Sequence, residues 1–236
     1  MKIVKPGYSI LTPISDGGYE ELRRIELAAR TCYKSEGKMT ADGASARKLV
    51  GAIIRNGHEA MLEHSQLSVR FTCDRGISHE LVRHRLASFA QESTRWCNYG
   101  KNSFGHEITV IEPVWDHDTE IYKLWKETCM VCEDAYFQML EAGYTPQQAR
   151  CVLPNSLKTE IVVTANYREW RTIFKLRCAP DAHPDMRRLM LPLLHELHER
   201  IPVAFDDLWY DLRAEFKEDT NADEGGAESA VQSTGD

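Results

Sequence analysis

The chain contains no apolar run approaching the roughly 18–20 residues needed to span a bilayer. Residues 1–18 also lack the uninterrupted apolar core and small-residue cleavage site of a secretory signal. The expectation is a cytoplasmic protein without a membrane role. There is no G-x-G-x-x-G and no G-x-x-x-x-G-K-[ST], so neither a Rossmann turn nor a P-loop is indicated, and no G-x-S-x-G elbow of a serine hydrolase occurs. The seven cysteines (32, 73, 97, 129, 132, 151 and 178) are odd in number and form no disulfide framework. The single C-x-x-C, Cys129–Cys132, lies in a helix-like run with no second pair at zinc-ribbon spacing. The cysteines are therefore expected to be buried reduced thiols. No metal is expected either. His79 and His84 are five apart rather than four, which rotates them off one helical face, and His195 and His198 have no cysteine or carboxylate cluster behind them.

The 236 residues present are 42% hydrophobic and 28% charged, the profile of a globular chain with a real core. The net charge of −7 divides unevenly. Between Glu215 and Asp236 seven acids face one base, Lys217, which leaves residues 1–214 with a net charge of only −1. The last 17 residues hold one Val and no aromatic, too little apolar surface to offset the entropy of ordering. Residues 1–216 read as one domain and 217–236 as an acidic, disordered tail. With the body nearly neutral, a basic cluster inside it reflects local placement.

Periodicity predicts helices over about 19–31 (Leu22, Ile25, Ala28, Ala29) and 44–56 (Leu49, Val50, Ile53, Ile54), the second stopping at Asn56-Gly57. Ser65–Cys73 alternates Leu67, Val69, Phe71 and Cys73 with polar residues, the clearest strand. A turn at Asp74-Arg75-Gly76 leads into a helix carrying Ile77, Leu81 and Val82. The opening residues read as an edge strand, and Glu107–Ile111 and Leu157–Thr164 as further strands. Helices are predicted over 118–142, 167–176, 184–200 and 203–216. Strands and helices mix without a βαβ rhythm, so the fold class is α+β, with an antiparallel or mixed central sheet flanked by helices.

The most informative segment is Arg83-His84-Arg85-Leu86-Ala87-Ser88-Phe89-Ala90-Gln91-Glu92-Ser93-Thr94-Arg95-Trp96. Three consecutive basic residues at a helix end would fan out and present donors to more than one anionic group, and the planar fork of arginine suits a phosphate or a carbonyl–imide edge. Ser93 and Arg95, two apart in an extended segment, would point to one side and complete a pocket with Arg83. Composition alone leaves open a purely structural pairing of these arginines with Glu80, Glu92 or the acidic tail. The segment is too short and the body too neutral for a nucleic-acid arm. In Asn166–Arg177 a helix would put Trp170, Ile173 and Leu176 on its apolar stripe and Arg168, Arg171 and Lys175 on a positive side. Arg150 stands alone before an apolar stretch.

Taken together, these residues resemble the flavin-dependent thymidylate synthases, the ThyX family. Arg83-His84-Arg85 followed by seven residues and Ser93 is similar to the family signature. His58-Glu59-Ala60-Met61-Leu62-Glu63-His64 resembles its H-E-x-x-x-E-H element. Ala149-Arg150-Cys151-Val152-Leu153-Pro154 resembles its A-R-x-x-L-P, and Asn166, Arg168 and Lys175-Leu176-Arg177 its N-x-R helix ending in K-L-R. The four blocks occur in family order over about residues 20–205.

The resemblance implies a homotetramer of α+β subunits with FAD at the subunit interfaces, which agrees with the missing dinucleotide fingerprint. It implies conversion of dUMP to dTMP, with 5,10-methylenetetrahydrofolate as carbon donor and NADPH as reductant, and no nucleic-acid or membrane partner. Carried over by position, His58, Glu63, Arg83, His84, Arg85, Gln91, Asn166, Arg168 and Thr172 would contact FAD. Glu80, Leu81, Val82, Arg83, Gln91, Glu92, Ser93, Thr94, Arg95, Arg150 and Arg177 would surround dUMP, with Arg177 catalytic and Ser93 supplying a hydrogen bond. The residue types suit that chemistry. Uracil C5 becomes nucleophilic only when negative charge is drawn through the ring, and guanidinium groups can stabilise that charge at the N3–O4 edge. The chain departs from the family pattern at Glu80 (often Gln), Gln91 (Glu in some members), Ala60 (often Ser or Thr), Thr172 (often Asn or His) and Trp96 (often Tyr). A carboxylate at position 80 accepts but cannot donate, so it is expected to pair with an arginine or meet a ligand hydroxyl.

Overall fold

The computed structural model describes residues 1–101 and 105–215. The predicted tail, 217–236, and Phe216 at the predicted domain end lie outside the described residues. Six strands, β1 (Lys2–Val4), β2 (Gly7–Ile10), β3 (Gln66–Asp74), β4 (Ser88–Gln91), β5 (Thr109–Ile111) and β6 (Lys158–Asn166), are interleaved with eight helices among the described residues. The helices are α1 (Tyr19–Thr31), α2 (Ala44–Arg55), α3 (Arg75–Leu81), α4 (Glu120–Glu141), α5 (Pro146–Ala149), α6 (Tyr167–Arg177), α7 (Pro184–Arg200) and α8 (Pro202–Leu212).

The main sheet runs β2-β3-β6-β4 and is antiparallel throughout. Its register follows from alternation. Leu67 faces Ala165, Val69 faces Val163, Phe71 faces Ile161 and Cys73 faces Thr159, and all eight are buried. A one-residue slip would turn this whole set to the other face, so burial fixes the pairing. Trp170, Ile173 and Phe174 of α6 bury against that face, with Leu193, Leu194 and Leu197 of α7 and Phe205 of α8 in the same core. The opposite face is polar: Ser68 and Thr164 share a 2.8 Å hydroxyl contact, and Arg70 is exposed.

A smaller core sits beside this one. β1 and β5 pair in parallel, and a bridge from Val110 to Leu157 ties them to the start of β6. Tyr122, Cys129 and Tyr136, seven apart, are the buried residues of α4, and the last two join Ile108, Val110 and Leu157 in this cluster. The α+β expectation and the antiparallel centre agree with the fold. The opening edge strand is two strands in different sheets, and β4 is an element that periodicity did not reveal. With Phe89 its only large apolar residue, the strand is specified by pairing with β6, Phe89 opposite Val163, more than by its own pattern.

Not every thiol is buried. Cys73, Cys129 and Cys178 are, Cys97 and Cys132 are half-buried, and Cys32 and Cys151 are exposed, all seven free. Cys32 follows α1 and Cys151 sits in the turn after α5, positions that neither core reaches.

Candidate functional site

The predicted site residues fall into three groups, placed by three different parts of the fold. The first is at the C-terminal end of α6. Arg177 donates from Nε to His84 Nε2 at 3.0 Å, from Nη1 to Glu80 Oε2 at 2.7 Å and from Nη2 to the Glu80 carbonyl at 3.0 Å. Asp74 caps α3 by accepting from the Ile77 amide at 2.7 Å, and the helix ends at Leu81, which turns Glu80 toward α6. The chain then passes through a turn in which Val82, Arg83 and Arg85 are exposed while His84 is only 6% exposed. The three basic residues do fan out, with His84 pointing in and the arginines out. Arg83 and Arg85 make no side-chain hydrogen bond or ion pair with the described residues. Burial and the neighbouring Arg177 charge lower the His84 pKa to about 4, so the imidazole is neutral and its Nε2 accepts. Its proton is thereby assigned to Nδ1, which faces the buried Glu169 Oε1 at 3.5 Å. Burial raises the Glu169 carboxyl. The carboxylate at position 80 pairs with an arginine as expected, although its partner is Arg177 rather than one from the Arg83–Arg95 segment.

The second group lies past the end of β4. Ser93–Trp96 forms a turn, with the Trp96 and Cys97 amides donating to the Ser93 carbonyl at 3.0 and 2.9 Å. This corrects the extended reading of Ser93 and Arg95. The last backbone bond to β6 runs from the Glu92 amide to the Glu160 carbonyl at 2.9 Å, and beyond it, without a ladder partner, the backbone closes on itself. The turn nevertheless brings separate parts of the sequence together. Arg95 Nε donates to Gln147 Oε1 at 2.9 Å, and Arg150 Nη1 reaches the buried Thr94 hydroxyl at 3.4 Å. Arg95 and Arg150 are themselves exposed, so a hydroxyl and two guanidinium groups stand at one surface.

The third group surrounds a cavity of about 540 Å³ with walls from Ala29, Leu49, Ala52, Ile53 and Met61, and with His58 and Arg168 at its polar side. Arg168 Nη1 donates to Glu63 at 2.7 Å, and both side chains are about half exposed. Asn166 caps α6, its Oδ1 accepting from the Glu169 amide at 2.9 Å, so the oxygen of its side chain is already engaged.

Among the described residues, none of Arg83, Arg95, Arg150 and Arg177 lines the 540 Å³ cavity or the cavities of about 500 and 360 Å³ at the sheet edge and beside α3. Gln91 donates inward to Ser78 at 2.8 Å and to Thr159 at 3.3 Å. Glu92 accepts from Tyr99 at 3.2 Å and Lys158 at 3.1 Å. The Leu81 side chain is in the core, and Thr172 is exposed on α6, bonding back to the Arg168 carbonyl at 3.2 Å.

Two assignments on α6 are corrected. Arg171 is 1% exposed, not on an open positive side, and Leu176 is 57% exposed, not on the buried stripe. At 100° per residue Arg171 lies about 40° from buried Tyr167 and about 60° from buried Phe174, on the side where α8 and the 59–64 turn approach and supply Asp207 and Glu59. Nothing in the helix's own sequence announces those partners.

A family model described as "Thymidylate synthase complementing protein" matches residues 18–203. A flavin-dependent thymidylate synthase of Corynebacterium aurimucosum is 33% identical over 211 residues, 82% of each chain. One of Geobacter sulfurreducens is 32% identical over 190 residues, covering 78% of this chain and 80% of the relative. Among solved structures, the UMP/dUMP methylase PolB from Streptomyces cacaoi bound with 5-Br dUMP overlays with a TM-score of 0.72 at 18% identity, over 90% of this chain and 98% of that one. At that identity the likeness concerns the fold alone.

Proposed function

The chain belongs to the flavin-dependent thymidylate synthase family, whose members methylate dUMP to dTMP, and from that premise we propose how its own residues divide the work. Arg177 is the group that activates the uracil. Its position supports this: the guanidinium is braced from inside by His84 and by the Glu80 backbone, while one edge meets only a movable carboxylate. Arginine cannot serve as a base at neutral pH, its pKa lying above about 12, but it stabilises negative charge as that charge develops on the N3–O4 edge. Arg95 and Arg150 bind the nucleotide phosphate together with the Ser93 hydroxyl, which lies 3.4 Å from the Arg95 amide, a set suiting an anion with several acceptor oxygens.

FAD fits the remaining groups by their chemistry. Arg83 and Arg85 offer unpaired guanidinium groups to a pyrophosphate, and the apolar walls beside His58 and Arg168 offer a surface for a ring. Arg168, at the start of α6, and Arg83 and Arg85, in the turn after α3, would hold the cofactor. When bound and reduced by NADPH, the flavin supplies the hydride that turns the methylene carried by 5,10-methylenetetrahydrofolate into a methyl group. The chain supplies position and electrostatics. We assign no enzyme nucleophile; burial pushes the thiols of Cys73 and Cys178 up to about 12 and that of Cys129 to about 11, which takes these three away from thiolate chemistry. Because none of Arg95, Arg150 and Arg177 lines the cavity beside His58 and Arg168, the complete site is assembled between chains of a homotetramer in this reading.

The observation that carries this reading is the braced Arg177. The test is an absorbance titration of the purified protein with NADPH and dUMP, followed by chromatographic detection of dTMP with and without methylenetetrahydrofolate. The expected result is yellow protein, dUMP-dependent bleaching of the flavin, and folate-dependent dTMP. Colourless protein that cannot be reconstituted with FAD would overturn it.

A further inference from the structure

We propose that His84 is a positioning residue whose imidazole, from inside the chain, fixes the plane of Arg177, and that Glu80 is a latch occupying the ligand edge of that guanidinium until dUMP displaces it. The proposal rests on the role given to Arg177 above. It replaces the expected flavin contact of the His84 side chain with a different task.

The geometry separates the two edges of Arg177. The Nε and Nη2 edge is held by a ring and a backbone carbonyl, at 3.0 Å each, and neither partner can swing away without moving the end of α3. Nη1 is held by the Glu80 carboxylate, a side chain 35% exposed. The first edge is therefore fixed and the second exchangeable.

His84 is built for the fixed edge. Both ring nitrogens are engaged within the chain, Nε2 by Arg177 and Nδ1 toward Glu169, and the residue is almost fully covered. A ring so placed has no open face for an isoalloxazine. It accepts from Arg177 only while neutral, and burial beside a guanidinium keeps it neutral across ordinary pH. Glu169, in the first turn of the same helix that ends in Arg177, orients the imidazole through its protonated nitrogen. Residues on one rigid helix thus hold both ends of the contact, the arrangement that preserves a side-chain plane through a catalytic cycle.

Glu80 is built for the exchangeable edge. It also lines the cavity of about 360 Å³ shared with Asp74, Asp185, Trp115 and Trp125, which gives the carboxylate somewhere to rotate when uracil takes its place. Its 2.7 Å ion pair with Arg177 draws it back once the nucleotide leaves. A neutral amide at position 80 would hold the arginine less firmly and compete less with the ligand.

The test uses the flavin-loaded full chain and three variants, His84→Leu, His84→Gln and Glu80→Gln. Flavin per chain, dUMP affinity by calorimetry, and kcat and KM for dUMP are measured for each. His84→Leu is expected to keep its flavin while dUMP affinity and kcat fall roughly tenfold to a hundredfold, the worth of one hydrogen bond to a charged group. His84→Gln restores an acceptor and is expected to recover most of that loss. Glu80→Gln is expected to bind dUMP several-fold more tightly, about the effect of removing one competing charged partner. Loss of flavin with dUMP affinity unchanged in His84→Leu, or unchanged dUMP affinity in either His84→Leu or Glu80→Gln, overturns the proposal. If His84→Leu does not fold, His84→Gln and Glu80→Gln decide: wild-type-like flavin content in both, with tighter dUMP binding only in the second, supports it, and no change in the second overturns it. Wild-type protein that binds neither flavin nor dUMP would remove the underlying reading itself, a result distinct from all of these.

Discussion

The guanidinium of Arg171 on α6 meets both carboxylate oxygens of Asp207 on α8, at 2.8 and 2.6 Å. The same group donates to the Ala204 carbonyl at 2.6 Å and to Glu59 at 3.3 Å. Three segments distant in sequence are thereby tied at one buried point. One of them is the turn that carries His58 and Glu63, so this cluster sets where the flavin-side residues stand relative to Arg168. Burial alone would raise the Asp207 carboxyl, but the hydrogen bonds and charge of Arg171 more than reverse that and hold it below the usual carboxylate range.

Arg171→Met keeps apolar bulk but strands Glu59, Asp207 and the Ala204 carbonyl. It should cost about 3 kcal/mol in urea unfolding, the scale of breaking a buried pair from one side. Asp207→Asn should cost less, about 1 kcal/mol, because that side chain is 45% exposed. A carboxyl whose folded pKa is depressed stabilises above its unfolded value of about 3.9 and loses the contribution as pH falls through the folded one. The stability gap between wild type and Asp207→Asn should therefore close below about pH 4. A gap that persists at pH 2 would show that the carboxylate charge is irrelevant.

Arg171 also marks the boundary of what the sequence discloses. The inward residues of β3 and β6, the helices and the Arg83–Ser93 signature are local patterns, and local patterns are legible. The partners of Arg171 lie 112 and 36 residues away, at Glu59 and Asp207, and no periodicity encodes them. A buried arginine and an exposed one are the same letter. The turn at Ser93–Trp96 departs from the extended expectation for a related reason: its shape follows from where β4 loses its partner strand, a tertiary event. The convergence of Arg95 and Arg150 on one surface was foreseeable only through the resemblance, since the segments between them carry no pairing signal.

Arg177→Lys tests the guanidinium plane. Lysine keeps the charge but offers one ammonium where three nitrogens now meet His84 and Glu80. Turnover should fall by at least about tenfold with flavin content retained. Unchanged dTMP formation would remove Arg177 from the chemistry.

Gly18 gives a sharp test of packing between the start of α1 and the end of α7. Its φ is +67°, and an added Cβ would sit 2.5 Å from Ile201 Cγ2. A Cβ at Gly17, whose φ is +56°, would have nothing within 4 Å. Gly17→Ala should cost about 1 kcal/mol from left-handed strain, and Gly18→Ala about 2–3 kcal/mol because overpacking adds to it. Equal losses in thermal melts would mean that Ile201 yields freely.

His84 should leave its mark on the pH dependence of stability. Its folded pKa, about 4, lies below the unfolded value of about 6.5. Between these values the unfolded chain binds a proton that the folded chain refuses, so stability rises with pH across this window and is lost as pH falls through it. The effect should be on the order of 2 kcal/mol, reduced from below as buried Glu169 begins to take up a proton of its own. His84→Gln carries no titrating group, and its stability should be flatter than that of the wild type from about pH 4 to 6.5. Parallel profiles for the two proteins would mean that the imidazole accepts a proton in place, in which case it could not be the acceptor that holds Arg177.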